Sequence, residues 1–294
     1  MGEVAGFATE PAAGARPSFL RMARRHSILL VGAAIVGFVV TVTILAPILA
    51  PYDPTAQSPG GRLAPPSAAH PMGTDQLHRD VLSRVLYGGR LPLLVAAASV
   101  AISFSLGTGL GWISGYFGGR LDRALSVVMD AIYSFPSLIL AIAIVAMLGP
   151  GLLNMIGAIA FVYIPTYFRV ARAQVLTLKE QEFVEAARAM GGTHWRILLR
   201  HIAPNTLPAV MTVPSFTIAD AILTEAALSF LGFGLPPPTP DWGFDIQNGQ
   251  KFLQAGYWWL ITFPGLMIIV VSIAFGMIGE GVNDLLNPRR RRAT

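Results

Sequence analysis

Three acidic residues lie within long apolar stretches of this chain: Asp130, Asp220 and Glu225. An ionisable side chain in such surroundings is costly and usually has a function. Asp220 and Glu225 are five positions apart, about 140° around a helix, so they are not expected to share one face as a paired-carboxylate site. Each carboxylate can either line a polar pathway or hydrogen-bond to a neighbouring helix, and the sequence leaves both interpretations open.

No other combination of residues in the sequence is typical of an enzyme or a metal centre. There is no cysteine, which excludes disulfides and Cys-ligated metals. His194 and His201 can share a helical face, but no third ligand accompanies them, so no metal site is expected. The glycine-rich stretch 107–115 lacks the Lys-Ser/Thr ending of a phosphate loop, and no catalytic Gly-x-Ser-x-Gly or HExxH motif occurs. We therefore predict that the chain is not an enzyme and binds no cofactor itself.

The elements that position these residues are expected to be membrane-spanning helices. The chain is 53% hydrophobic and only 13% charged, whereas soluble domains carry about 25% charged residues. A helix needs about 20 apolar residues to cross a bilayer. The uncharged run 131–168 is too long for one span and is broken at Gly149-Pro150-Gly151, a turn signal. The resulting prediction is an all-α bundle of six transmembrane helices, near 27–50, 91–119, 124–148, 152–170, 206–233 and 257–280.

The first of these runs, 27–50, is predicted to be a retained span rather than a cleaved signal peptide. It has 24 uncharged residues, whereas the apolar part of a signal peptide has about 7–15. A length that matches the bilayer favours retention.

The distribution of basic residues predicts the orientation. With both termini inside, sixteen Lys and Arg residues fall on the cytoplasmic side and five outside, as the positive-inside rule requires. This arrangement makes 1–26 a mobile cytoplasmic tail, 51–90 an extracytoplasmic loop, 91–283 the core of five helices, and 284–294 a basic cytoplasmic tail. We interpret the four arginines at 289–292 as an anchor on anionic lipid. Nucleic-acid binding is not expected, because no basic stripe with interleaved aromatic residues accompanies them.

The second span carries three glycines at a spacing of four: Gly107, Gly111 and Gly115. This spacing places them on one helix face. Small residues allow two helices to approach closely in lipid, where packing drives association. We predict that this face is a helix-packing surface.

The polar loop 174–205 is predicted to form a helix–turn–helix unit on the cytoplasmic side. Strong helix formers occupy 181–190, Gly191 ends that helix, and Thr193 can cap the next one. An apolar stripe then follows i, i+3, i+4, i+7 spacing, and Pro204 is expected to end the second helix. The stripe consists of Trp195, Leu198, Leu199 and Ile202. Since acidic residues match an anionic leaflet poorly, the alanine-rich first helix with its two glutamates fits a groove on a protein partner better than a lipid surface.

The same loop resembles the EAA loop of ABC-importer permeases, whose pattern is EAA-x3-G-x9-I-x-L-P. Glu185–Ala187, Gly191 and Pro204 match it at the same spacing. This chain has His201 and Ala203 where the pattern has Ile and Leu.

Four further stretches are similar to segments of the dipeptide, oligopeptide and nickel permeases of the C-subunit type. In the first of them the family usually has Gly where this chain has His78. The resemblance covers roughly 28–290. The stretches are 70–90, 228–243, 50–54 and 283–289.

The resemblance implies a type I importer fold, a bacterial-type inner-membrane location and an assembly with several partners. These are a homologous second permease, two cytoplasmic ATPase subunits that carry ATP and Mg, and an extracytoplasmic binding protein. The short helix becomes a coupling helix driven by the ATPases. The implied coupling residues are Glu185, Ala186, Ala187, Gly191, His194, Trp195 and Pro204.

The expected substrate is a di- or oligopeptide, and nickel or another small solute is the alternative. Candidate pathway residues are Asp130, Tyr133, Tyr163, Tyr167, Asp220 and Glu225. A gradient-driven secondary transporter is a rival class, but such proteins are built from repeats, and no inverted repeat is visible.

Overall fold

The computed structural model describes residues 27–286, and this part of the chain is helical apart from loops and one isolated bridge between Thr74 and Asp80. The predicted mobile tail 1–26 and the arginines 289–292 lie outside the described residues. The helices are α1 (Ser27–Ile44), α2 (Ala46–Leu49), α3 (Val81–Gly88), α4 (Arg90–Phe117), α5 (Gly119–Tyr133), α6 (Ser137–Leu148), α7 (Leu152–Leu178), α8 (Glu182–Ala189), α9 (His194–Ile197), α10 (Ala203–Val210), α11 (Pro214–Phe230), α12 (Trp242–Gln250) and α13 (Trp259–Leu286).

Four helical segments of the described chain are long and apolar enough to cross a membrane: α1, α3 with α4, α7, and α13. Two further spans are bent pairs, so the number rises to six if each pair counts as one span. α7 is the central helix, because 56% of its most apolar window is buried, against 17% for α1.

The two bent pairs differ from the straight spans expected at 124–148 and 206–233. α5 and α6 meet at 91°, and the helical stretch that ends with α10 meets α11 at 56°. Pro136 immediately precedes α6, and Pro214 is the first residue of α11. Proline lacks an N–H donor and its ring clashes with the preceding turn, which favours a break of the helix at both positions.

α4 and α7 pack closely along the three-glycine face. A Cβ added to Gly107 would lie 2.5 Å from the Ile164 carbonyl oxygen, and one added to Gly111 would lie 2.6 Å from the Phe168 carbonyl oxygen. At Gly115 the nearest atom would be the Val175 Cβ, at 2.9 Å. Because these glycines have no side chain, the backbone of α7 lies directly against α4, and the two helices form one packed unit. This contact between α4 and α7 is called the glycine seam below.

The polar segment 51–89, here called the polar cap, is buried against α12 and α13. The indole of Trp242 donates to the Val85 carbonyl at 2.9 Å, and that of Trp259 donates to the Thr74 carbonyl at 3.2 Å. His78 has φ of +63°, in the left-handed region where glycine is the default residue. The glycine that the resemblance implies at this position would suit that backbone geometry.

Candidate functional site: a helical hairpin and a carboxylate cavity

The turn of the hairpin (residues 182–202) depends on Gly191, whose φ is +78°. The Gly192 N–H donates to the Ala187 carbonyl at 3.0 Å, and the Gly191 N–H donates to the Arg188 carbonyl at 2.9 Å. These two bonds form a Schellman motif that ends α8. The Thr193 side chain then accepts from the Arg196 N–H at 3.4 Å, which confirms the predicted cap of α9.

The hairpin has a small hydrophobic core of its own. Val184 and Ala187 of α8 are buried in it, at 0% and 4% exposure. Ala187 therefore packs inward, although the family resemblance implied that it meets a partner. The whole cluster comprises Tyr116, Val175, Val184, Ala187, Ile197, Leu198 and Ile202.

The predicted apolar stripe of the second helix is only half correct. Leu198 and Ile202 are buried, but Trp195 and Leu199 are 54% and 57% exposed. Ile197 takes part in the core instead. Trp195 lies in α9, before the π turn, and its ring packs on Phe117. From Leu198 to Ile202 the chain is π-helical, which changes the angle between successive side chains in the second half of the stripe.

Pro204 does not end this helix, contrary to the prediction. The Ala203 N–H donates to the Leu198 carbonyl, five residues back, and the chain continues into α10. The wider turn accommodates a proline that has no N–H and would clash with the carbonyl four residues earlier. Pro204 itself is exposed, while Ala203 is 4% exposed.

The opposite side of α8 faces away from the core. Successive residues turn by about 100°, and with Val184 and Ala187 buried, an exposed row points outward. Phe183 and Met190, 38% and 82% exposed, flank it. The row, called the outer face of α8 below, consists of Glu182, Glu185, Ala186 and Ala189.

Aromatic and polar contacts join the hairpin to the end of α4. His194 Nδ1 lies 3.1 Å from the Tyr116 hydroxyl. The rings of Trp195 and Phe117 lie edge to face with centroids 5.4 Å apart. The Lys179 ammonium donates to the Gly115 carbonyl at 3.2 Å. His194 and Trp195 thus attach the hairpin to α4, and Lys179 joins the end of α7 to α4. Val175 of α7 packs in the hydrophobic cluster of the hairpin.

A cavity of about 290 Å³ lies between α5, α6, α7 and α11. The Tyr163 hydroxyl donates to Asp220 Oδ2 at 2.7 Å and lies 3.0 Å from the Thr224 hydroxyl. Three predicted pathway residues meet here, although they are far apart in the sequence. The lining is Ile132, Tyr133, Phe135, Ser137, Val162, Tyr163, Thr166 and Asp220.

Asp130 lies outside this lining but is connected to it. It accepts from Arg169 Nη2 at 2.7 Å, and the Arg169 guanidinium carbon lies 3.9 Å from the ring centroid of Tyr133. Both charged side chains are exposed, 64% for Asp130 and 43% for Arg169. The pair lies next to the cavity along α5 and α7.

Tyr167 and Glu225 lie elsewhere. Tyr167 is fully buried and packs edge to face on Phe104 of α4, so it belongs to the glycine seam. Glu225 is fully buried and accepts from the Ser229 hydroxyl at 3.1 Å. Its neighbour Asp241 caps α12 by accepting from the Gly243 N–H at 2.9 Å, and burial raises the pKa of the Asp241 carboxyl to about 6. Since Glu225 faces α12 and Asp220 faces the cavity, the expected separation of the two carboxylates is confirmed.

Sequence reasoning missed two ion pairs, one partly buried and one in which the arginine is almost fully buried. Arg172 donates to both carboxylate oxygens of Asp122 at 2.5 and 2.6 Å, joining α7 to α5. Arg84 of the cap donates to Asp245 Oδ1 through Nε at 2.9 Å and Nη2 at 2.5 Å. The partners are 50 and 161 positions apart in the sequence. The sequence therefore showed only that each charged residue lies next to an apolar run, and it could not indicate the partner.

No group of three or more His, Cys, Asp or Glu side chains suited to a metal ion occurs among residues 27–286. What the described residues offer is a polar cavity between helices and a rigidly attached surface hairpin.

Two family models match the chain. Residues 107–292 match the family described as binding-protein-dependent transport system inner membrane component. Residues 18–66 match the N-terminal transmembrane domain of oligopeptide transport permease C.

Named relatives align over most of the chain. It is 40% identical over 268 residues to the dipeptide transport system permease protein DppC of Alkalihalophilus pseudofirmus, covering 91% of this chain and 88% of the relative. It is 40% identical to the probable D,D-dipeptide permease protein DdpC of Escherichia coli, covering 87% and 86%. It is 39% identical to the di/tripeptide permease protein DppC of Pseudomonas aeruginosa, covering 87% and 86%.

A solved structure shares the fold. A chain of the inward-facing MetNI methionine ABC transporter aligns with a TM-score of 0.56 at 18% identity, covering 70% of this chain and 97% of that one. The helical bundle described above is thus a type I ABC-importer permease fold.

Proposed function

Because the chain belongs to the family of binding-protein-dependent transport system inner-membrane components, we propose that it is a permease subunit of an ATP-driven importer of di- or oligopeptides. The relatives named as dipeptide and di/tripeptide permeases support the substrate class. The methionine transporter shares only the fold, so it carries no argument about substrate.

The proposed topology has six spans with both termini in the cytoplasm. In this topology the two bent pairs each count as one span, and the polar cap lies outside together with α12. Residues 1–26 and 284–294 are cytoplasmic tails, and 174–205 is the coupling loop within the core 91–283. The excess of Lys and Arg on the proposed inner side supports this orientation.

The proposed assembly contains a homologous second permease, two ATPase subunits that bind ATP and Mg, and a binding protein outside. The chain has no phosphate loop, so ATP hydrolysis belongs to the partners. Family membership supports an assembly of this kind.

One observation carries the coupling role: the hairpin presents an exposed small-residue face on one side while its other side is attached to α4 and α7. On the outer face of α8, Glu185 and Ala186 would lie against an ATPase groove. Ala187 and Gly191 set the shape of the hairpin, and His194 and Trp195 join it to α4. Pro204 follows the π turn into α10. Movement of the hairpin would therefore reach the glycine seam as a rigid-body displacement.

The proposed pathway includes the cavity with Tyr133, Tyr163 and Asp220, and the adjacent exposed Asp130. Tyr167 and Glu225 support it from the packed seams on either side, since both are fully buried.

The test is a size series at Ala186 in the purified importer in proteoliposomes. Ala186→Trp is expected to lower ATP-driven uptake of a labelled dipeptide at least about tenfold, because a bulky side chain prevents close approach to the ATPase. Ala186→Ser keeps the small size and should transport at close to the wild-type rate. Wild-type uptake in Ala186→Trp would refute the docking face, and absence of dipeptide uptake in the wild type would refute the substrate class.

A further inference from the structure

The carboxylate of Asp220 differs from the other carboxylates near the cavity. Asp130 pairs with Arg169, and Asp122 pairs with Arg172. Among residues 27–286, Asp220 forms no ion pair and has a single side-chain partner, the neutral hydroxyl of Tyr163 at 2.7 Å. Its negative charge is thus unpaired within the described residues, since the Arg169 guanidinium beside the cavity is already paired with Asp130.

The position of Asp220 makes this charge available to a ligand. The residue is exposed and lines the cavity of about 290 Å³. Of its two carboxylate oxygens, Oδ2 accepts from Tyr163, and Oδ1 has no hydrogen-bond partner in the described chain. An ionised carboxylate within a membrane protein requires either a countercharge or water, and here the space beside it can hold either.

The surrounding side chains favour an organic cation over a small metal ion. Phe135 and Tyr163 give the cavity an aromatic wall, and aromatic faces attract ammonium groups. The ring of Tyr133 already holds the Arg169 guanidinium at 3.9 Å. Hard metal cations take several oxygen ligands, whereas Asp220 is the only carboxylate in the lining. One carboxylate beside aromatic rings matches a primary ammonium.

We infer that Asp220 and this aromatic wall bind the amino-terminal ammonium group of a peptide during its passage. The inference rests on the proposed function, because a peptide carries such a group at its first residue. Tyr163 acts as a positioning residue by fixing Oδ2, which leaves Oδ1 directed to the ligand. We expect this binding to be weak and transient, because a single carboxylate in an open cavity holds the cation.

Charge-selective labelling in the assembled importer tests the site without relying on transport. The chain has no native cysteine, so Thr166→Cys places a single thiol in the cavity lining. Three methanethiosulfonates of similar size are compared: cationic aminoethyl, anionic sulfonatoethyl and neutral hydroxyethyl. Labelling of this chain is followed by its mass. The labelling rates of the cationic and anionic reagents are each divided by the rate of the neutral reagent. The ratio of these two values, called the cationic-to-anionic ratio below, reports the electrostatic potential at the thiol.

Adding Asp220→Asn to Thr166→Cys should lower the cationic-to-anionic ratio at least about threefold, the effect of a unit charge a few ångströms away even under water-like screening. Asp220→Glu keeps the negative charge at this position and should preserve most of the ratio, which separates the effect of charge from that of packing. Glycyl-leucine should slow the cationic reagent, and N-acetylglycyl-leucine, which lacks the ammonium, should not.

An unchanged ratio in Asp220→Asn, equal protection by both peptides, or no labelling by the neutral reagent would each overturn the inference. The proposed function is judged separately by ATP-driven dipeptide uptake of the wild-type importer. If uptake is absent while the ratio depends on Asp220, the cation site stands and the importer assignment fails. If uptake is present and the ratio does not depend on Asp220, only the site is wrong.

Discussion

Several charged side chains of this protein are buried in its interior. Arg84 is the clearest case: it is 1% exposed, yet all three of its guanidinium nitrogens have acceptors. Two of them meet Asp245, and the third donates to the Pro54 carbonyl at 3.1 Å. Burial raises the pKa of Asp245, and the adjacent Arg84 guanidinium opposes that shift. The pair ties the polar cap to α12, so its loss leaves a buried charge without a partner.

Arg84→Met should therefore destabilise the importer by about 3–5 kcal/mol, the usual cost of breaking a buried pair from one side. The measurement is the apparent melting temperature of the purified complex. Asp245→Asn in the same background should recover part of the loss, because it removes the unpaired charge. Arg62→Met is the matched control, since Arg62 is exposed in the same cap. Equal shifts for Arg62→Met and Arg84→Met would contradict the role of the pair.

Between elements, the glycine seam is the strongest constraint. Gly107, Gly111 and Gly115 allow the backbone of α7 to approach α4 where any side chain would meet a carbonyl or a Cβ within about 3 Å. The hairpin is attached to this seam, because His194 contacts Tyr116 of α4 and Val175 of α7 packs in the hairpin's hydrophobic cluster. A change in this packing should therefore affect both stability and transport.

Gly111→Ala should lower the apparent melting temperature, because its Cβ would lie 2.6 Å from the Phe168 carbonyl oxygen and 2.9 Å from the Ala171 Cβ. Overpacking of this kind costs about 1–3 kcal/mol. Gly109→Ala lies on the same helix with nothing within 4 Å of the added Cβ, so it should be neutral or slightly stabilising through helix propensity. The opposite order of the two variants would show that the seam is not close-packed in the membrane.

At the scale of the whole molecule, the architecture separates two tasks. The outer face of α8 is one surface, the Asp220 cavity is another, and the seam of α4 and α7 lies between them. In the proposed coupling role, movement of the hairpin would reach the helices that line the cavity only if the turn at Gly191 holds its shape. Its φ of +78° makes that turn sensitive to any side chain.

Gly191→Val should uncouple the importer: ATP hydrolysis continues while dipeptide uptake falls at least about tenfold. A left-handed φ costs a residue with a Cβ about 1–2 kcal/mol, which the hairpin can relieve by tilting α8. Gly256→Val is the control, because Gly256 also has a left-handed φ, +91°, and open space around it, but lies in the loop after α12. The measured quantity is the number of ATP molecules hydrolysed per peptide imported. A normal ratio in Gly191→Val would remove this turn from the coupling mechanism.

Local patterns predicted a large part of this protein. Composition and run lengths indicated a helical membrane protein, the Gly191 turn and Thr193 cap followed from backbone preferences over a few residues, and the EAA spacing indicated the family. These features depend on neighbours in the chain, so the sequence alone determined them. Helix packing decided three other features: the sharp break at Pro136, the π turn before Pro204 and the burial of Ala187. The alternative local conformations are close in free energy, so contacts with neighbouring helices stabilise one of them.

The meeting of Tyr163 with Asp220, 57 positions apart, and of Arg84 with Asp245, 161 positions apart, was decided only by the tertiary structure. A single sequence shows that a charged residue lies in an apolar stretch. Which residue pairs with it depends on which helix packs against that charged side chain. The same limit applies to the three glycines: their spacing predicted a packing face, and only the packed bundle determined that the face meets α7.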